Sequence, residues 1–226
     1  NLAIGEDAGL LVTSGTANVL IGHQAGSAIA DDDNNTAVGY NALKAATAGN
    51  SNTAFGAYAM GLGATTGGNN TTLGAWAGYD LTAGDSNVMV GYAAGANVTT
   101  AKQNVIIGLD ACGLGVLANA SSTLGMYNVV IGPQAGYDLT SGQSNILLGK
   151  DAGVNLTDNY HNVAIGTAAL DAAASGENNN IAIGTNALST ENSNAAYCVA
   201  IGREALAAQN GDVKNTVIGG LAGAEL

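Results

Sequence analysis

NVAIGTAAL, residues 162–170, returns eighteen residues later as NIAIGTNAL, residues 180–188, and a looser form, NVLIGHQAG, fills residues 18–26. Taking the glycine inside each phrase as an anchor gives Gly5, Gly22, Gly39, Gly56, Gly74, Gly91, Gly108, Gly132, Gly149, Gly166, Gly184, Gly202 and Gly219. Every step is 17 or 18 residues except that from Gly108 to Gly132, which is 24. A fixed period of this length reports architecture before chemistry. The chain reads as one repeat domain, 1–226, of thirteen copies, with an irregular coil or insertion around 109–127.

The columns of the repeat can be compared with one another. Four residues before the anchor stands Asn in twelve copies, with Cys198 the exception, and three after it stands Ala in all thirteen. One before the anchor is Ile, Val, Leu or Phe every time, and the residue after the Ala is Gly or Leu in all but two copies, where Met60 and Cys112 stand. The phrase is rich in β-branched residues, too short for a stable helix, and followed by Gly, Asn, Ser and Thr, which make turns. The expectation is an all-β fold: a repetitive β-solenoid, or β-roll, of about thirteen coils. At about 4.8 Å per coil the stack would form a rod roughly 60 Å long.

Each column then acquires an expected task. Residues one and three before the anchor share a strand face and are expected to fill the coil. The Ala column suits a tight corner, and the Asn column would form an amide ladder that caps the turn and tolerates left-handed backbone angles. The anchor glycine would bend the chain where a side chain would clash. The residue two before the anchor then faces outward by strand alternation, yet it never carries a charge. An apolar outward stripe of this length implies cover by further copies of the chain, so Leu20, Met89, Ile106, Val130, Leu147 and Val217 are the expected oligomer interface.

Composition narrows the function. Seventeen acidic residues against five basic ones give a net charge of −12, which opposes nucleic-acid binding. No apolar run is long enough to span a bilayer, so membrane insertion is not expected. Asp31, Asp32 and Asp33 are the nearest approach to a calcium site, without the glycine-aspartate repeat of calcium-binding rolls, and no metal is assigned. Residues 113–118 match a dinucleotide fingerprint, but in a β repeat with no helix to open, so no cofactor is assigned. His23 and His161 have no recurring carboxylate or Cys partner and read as surface residues. No column is consistently acidic, no nucleophile elbow occurs, and the chain reads as no enzyme. Cys112 and Cys198 lie five coils apart, too far for a disulfide between them. The opening at Asn1, inside a repeat, is what a fragment or a processed product would show. Tyr58 and Trp76 stand in the same column of consecutive copies, where they would lie side by side and offer a surface to a sugar ring.

The phrase Asn35-Thr36-Ala37-Val38-Gly39-Tyr40-Asn41-Ala42-Leu43 resembles the 17-residue repeats of phage tail fibres and related bacterial surface fibres. NVAIG and NIAIG are similar to the head repeats of trimeric autotransporter adhesins, which form β-rolls. The resemblance implies a homotrimeric fibre, extracellular, on a cell surface or on a virion, that extends, presents or attaches. A host-surface glycan or receptor is the partner that an adhesin reading adds, with Tyr58 and Trp76 as its contacts. An ice-binding solenoid is a further alternative, although its Thr ladder is mixed here with Val and Ile.

Overall fold

The computed structural model describes residues 1–114, 125–171, 178–189, 196–208 and 214–224. Among these the protein is an all-β parallel solenoid without helices. Thirteen three-residue strands run from β1 (Leu2–Ile4) through β7 (Val105–Ile107) and β8 (Val129–Ile131) to β13 (Thr216–Ile218). They form one sheet in strict sequence order, each strand parallel to the next. Pairing is in register by repeat column, as in Val19↔Thr36, Leu20↔Ala37 and Ile21↔Val38. Thirteen strands leave twelve intervals, one of them enlarged between β7 and β8, so regular turns number about eleven. The irregular segment expected over 109–127 falls largely on residues 115–124, outside the described residues. The sheet crosses it unbroken, with Val105 opposite Val129 and Ile107 opposite Ile131.

Sequence alternation left the sign of the strand faces open, and the structure reverses the expected one. The residue two before the anchor points into the coil: Leu20, Met89, Ile106, Val130 and Leu147 are at most 1% exposed. Val217, in the last coil, is partly buried and packs against the same core. These residues therefore fill the coil of a single chain and cannot serve as an oligomer interface. The outward positions are those one and three before the anchor, among them Phe55, Leu73, Ile146 and Leu148.

The interior explains why a column holding Ala, Thr, Met and Leu works as a core. Where the residue after the invariant Ala is Leu or Met, as at Leu43, Met60, Leu170, Leu188 and Leu206, the inward strand residue is Ala37, Ala54, Ala164, Ala182 or Ala200. Where it is Gly, as at Gly26, Gly78, Gly95, Gly136 and Gly153, the inward residue is Leu20, Thr72, Met89, Val130 or Leu147. Three residues beyond each of those glycines, Ile29, Leu81, Val98, Leu139 and Leu156 turn inward and are fully buried. In the third and fourth coils, which follow the other pattern, that place holds Ala46 and Gly63. These ten coils thus fill one narrow volume by one of two recipes, as close packing requires, while the first pairs Ala3 with Gly9 and the seventh Ile106 with Cys112.

The Asn column confirms the expected ladder. Asn18 through Asn180 are buried, and the Oδ1 of each accepts the backbone N–H of the Asn in the next coil, for example Asn35 N–H to Asn18 at 2.8 Å and Asn104 N–H to Asn87 at 3.1 Å. At Asn18, Asn52, Asn70, Asn87, Asn104, Asn128 and Asn145 the side-chain Nδ2 donates to a carbonyl at the preceding corner of the next coil, as from Asn87 to Ala101 at 2.8 Å. At Cys198 the backbone N–H still donates to Asn180 Oδ1, with a thiol in the place of the amide. Cys198 and Cys112 are both buried, and no disulfide joins them.

The left-handed angles expected at Asn occur one residue earlier, at Asn34, Ser51, Asn69 and Ser86, and at two further corner columns, two and four after the anchor. Such a conformation costs a non-glycine residue roughly 1–2 kcal/mol. The cost is offset by hydrogen bonding, since the N–H groups so turned reach adjacent coils: Gln24 to Glu6 at 2.9 Å, Leu43 to Ala59 at 2.9 Å, Ser86 to Gly68 at 3.0 Å. The anchor itself is more restricted. Gly91 has φ +134°, and a Cβ there would stand 2.6 Å from the carbonyl oxygen of Gly108. The invariant Ala beside it is fully buried in all but the two terminal copies, as the corner reading expects.

Candidate functional site

Two surfaces stand out, and both follow from the stacking. The first is a run of rings on the corner just after the anchors. Tyr58 and Trp76, side by side as their shared column predicts, stack with ring centroids 4.6 Å apart and planes 23° from parallel. Tyr40 meets Tyr58 edge-on at 5.3 Å, and His23 stacks on Tyr40 at 5.2 Å. Tyr79 closes the run against Trp76 at 4.5 Å. Tyr58 and Trp76 hold φ of 59° and 64° in a column filled elsewhere by Asp, Gln, Asn, Ala, Glu and Leu. Bulky rings in that conformation are uncommon, and mutual stacking stabilises them there.

Column matching pairs Tyr58 with Trp76 but overlooks Tyr40 and His23, which stand one residue closer to the anchor, and Tyr79, five after it. The signal was an aromatic or imidazole ring within one column of the same corner in four consecutive copies. His23 also places Nε2 3.7 Å from Glu6 Oε2, which continues the line of contacts into the first coil. Burial among the rings, followed by the neighbouring Tyr40 hydroxyl, pushes the Tyr58 phenol above its ordinary range.

The rung spacing limits what this surface can bind. A sugar ring held between two aromatic rings needs two van der Waals contacts of about 3.5–4.0 Å each, whereas Tyr58 and Trp76 are 4.6 Å apart. Tyr58 has one ring face on Trp76 and meets Tyr40 edge-on along the rod.

The second surface is the outer face of the sheet. It carries two side chains from each strand, every one Val, Ile, Leu, Thr or Phe. Leu73 is 48% exposed and Ile146 42%. Thr36, Thr53 and Thr71 stand on three successive rungs of it, with Val and Ile on most others.

The aspartates at 31–33 diverge. Asp31 Oδ1 accepts from the hydroxyls of Thr13 and Ser14, each at 2.7 Å, and Asp33 Oδ1 accepts from the Thr16 N–H at 2.6 Å and hydroxyl at 2.8 Å. These bonds hold both carboxyls below their ordinary range and tie the first coil to the second. Asp32 turns inward, and burial, then its two charged neighbours, pushes its carboxyl up. Among the described residues no three His, Cys, Asp or Glu side chains converge to hold a metal. Burial pushes the Cys112 thiol up to about 12, which leaves it protonated and unreactive at neutral pH. The dinucleotide-like stretch lies mostly outside the described residues. No described helix is long and apolar enough to cross a membrane. Comparison of the chain with protein families, with curated proteins and with solved structures found no match.

Proposed function

We propose that this chain is a structural segment of a fibre, extracellular or virion-borne, whose task is to extend, present or attach. The observation that carries the reading is the uninterrupted parallel sheet of thirteen in-register strands. Neighbouring rungs are joined by strand bonds and corner bonds, and Asn18 through Asn180 add a buried ladder, so tension or bending is shared along the stack. A fold whose hydrogen bonding repeats without a break suits a rod, and the chain devotes its recurring residues to that repeat. The finer reading, by resemblance of the Asn35–Leu43 phrase to tail-fibre and surface-fibre repeats, is a homotrimeric assembly. The adhesin alternative rests on Tyr58 and Trp76, which turn one ring face each toward the other, and the ice-binding alternative on only three successive Thr rungs.

Small-angle scattering tests the reading. An elongated particle about 58 Å along its axis for each chain, from twelve intervals of about 4.8 Å, is the expected result. A compact particle of the same mass would overturn it.

A further inference from the structure

Among the described residues none of the outward side chains of the sheet is buried, and the chemistry of this face asks for cover. Parallel sheets are normally buried on both faces. Here one face closes on the coil interior and the other presents two uncharged columns, aliphatic except for Thr36, Thr53, Thr71, Thr216 and Phe55. The acidic residues responsible for the net charge of −12 all lie off this face. Twelve intervals of about 4.8 Å by a width of about 10 Å give roughly 600 Å², at or above the largest apolar patch of a typical monomer.

We infer that this face docks against the same face of another copy of the chain, sheet to sheet. The argument for a second copy is the period. Side chains such as Val105, Ile107, Ile146 and Leu148 recur at the strand spacing along the rod, in register. A partner that interdigitates with all of them must repeat at the same spacing over the same length. Another copy meets that condition by construction, as do the paired sheets of dry steric zippers. Two such faces together bury about 1,200 Å², the lower bound of stable specific interfaces. The absence of charge favours like meeting like, since no complementary charge is required of the partner. This inference rests on the fibre reading and gives the surface through which chains pair; because the same face meets on both copies the pair closes as a dimer, in place of the trimer that the resemblance implies.

The test is the mass of the assembly in solution, by light scattering or sedimentation, for the wild type and for Leu73→Lys/Ile146→Lys. The wild type is expected to be oligomeric at micromolar concentration, and the double variant to dissociate at least tenfold more readily. Its circular dichroism should match the wild type, because both side chains point outward. Leu73→Thr/Ile146→Thr, which keeps residue types found on this face, should weaken assembly in the same direction and guards against a Lys variant that fails to fold. A charged control on the loop side, Ala48→Lys/Ala83→Lys, should leave the mass unchanged. A monomeric wild type, or face variants that keep the wild-type mass, would overturn the inference. A monomer that is still an elongated rod overturns only the docking surface, whereas a compact particle overturns the fibre reading beneath it.

Discussion

Gly26 and Leu20 share one volume inside the second coil: a Cβ on Gly26 would lie 2.6 Å from Leu20 Cδ2 and 2.9 Å from Ile29 Cδ1. In the third coil the same volume is filled by Leu43, with Ala37 and Ala46 giving it room. Gly26→Leu alone should therefore destabilise by more than about 3 kcal/mol, through overpacking in a close-packed core. Leu20→Ala/Gly26→Leu/Ile29→Ala converts the second coil to the recipe of the third and should recover most of that loss. Denaturant midpoints of the single, paired and triple variants measure the coupling. If the triple variant is as unstable as the sum of its parts, the two recipes are not interchangeable fillings of one volume.

The Asn ladder gives a second expectation. Asn87→Ala removes the acceptor for Asn104 N–H, at 3.1 Å, and the donor to Ala101 C=O, at 2.8 Å, both away from solvent. Each buried polar group so stranded costs about 1–3 kcal/mol, and a total loss of roughly 2–5 kcal/mol is expected. Amide exchange should quicken first at Asn104. Unchanged protection there would show that the ladder does not hold the coils together.

Backbone geometry separates glycines that look alike in sequence. Gly91→Ala should destabilise by more than about 3 kcal/mol, because it combines φ +134° with a 2.6 Å contact to the Gly108 carbonyl. Gly220→Ala, where the nearest atom is 3.8 Å away, should leave the melting midpoint nearly unchanged. Equal effects at the two sites would remove the steric account of the anchor column.

For the aromatic run, Tyr58→Ala should cost about 0.5–1.5 kcal/mol beyond the lost burial, the usual worth of a ring pair. It should also shift the fluorescence of Trp76, the chain's one tryptophan. Unaltered emission would mean that the two rings do not stack in solution.

The sequence made the period, the ladder and the corner legible, because Asn, Ala and Gly each do a task set by local backbone geometry and recur wherever that geometry recurs. It hid which strand face points inward, since both faces are apolar and alternation has no sign when neither side is polar. Ile107 and Ile131 look more like core residues than Ala37 or Thr72, yet they face out. The deciding signal lay between columns: Ala37 accompanies Leu43 and Leu20 accompanies Gly26, a compensation of volume that only residues sharing an interior need. The aromatic run was half legible for a related reason, since His23 and Tyr40 lie one residue out of the column that Tyr58 and Trp76 share.

Asp32 supplies the pH dependence. It is 6% exposed, its Oδ2 is buried without a hydrogen-bond partner, and burial raises its carboxyl above the ordinary value. Between the ordinary and the raised value the unfolded chain has lost the proton that the folded chain still holds. Stability therefore falls as pH rises through that window, and the full penalty persists at neutral pH. Asp31 and Asp33 behave oppositely: their lowered carboxyls stabilise the fold above the ordinary value, and that contribution is lost as pH falls through their own lower values. Asn159, buried seven residues before its anchor as Asp32 is before Gly39, shows that the site accepts a neutral amide. Asp32→Asn should accordingly raise the melting midpoint at pH 7. The gain should shrink on acidification and vanish below about pH 3.9, the ordinary carboxylate value. A gain independent of pH would mean that shape rather than charge limits this position, and a loss at pH 7 would mean that the carboxylate has a partner the fold requires.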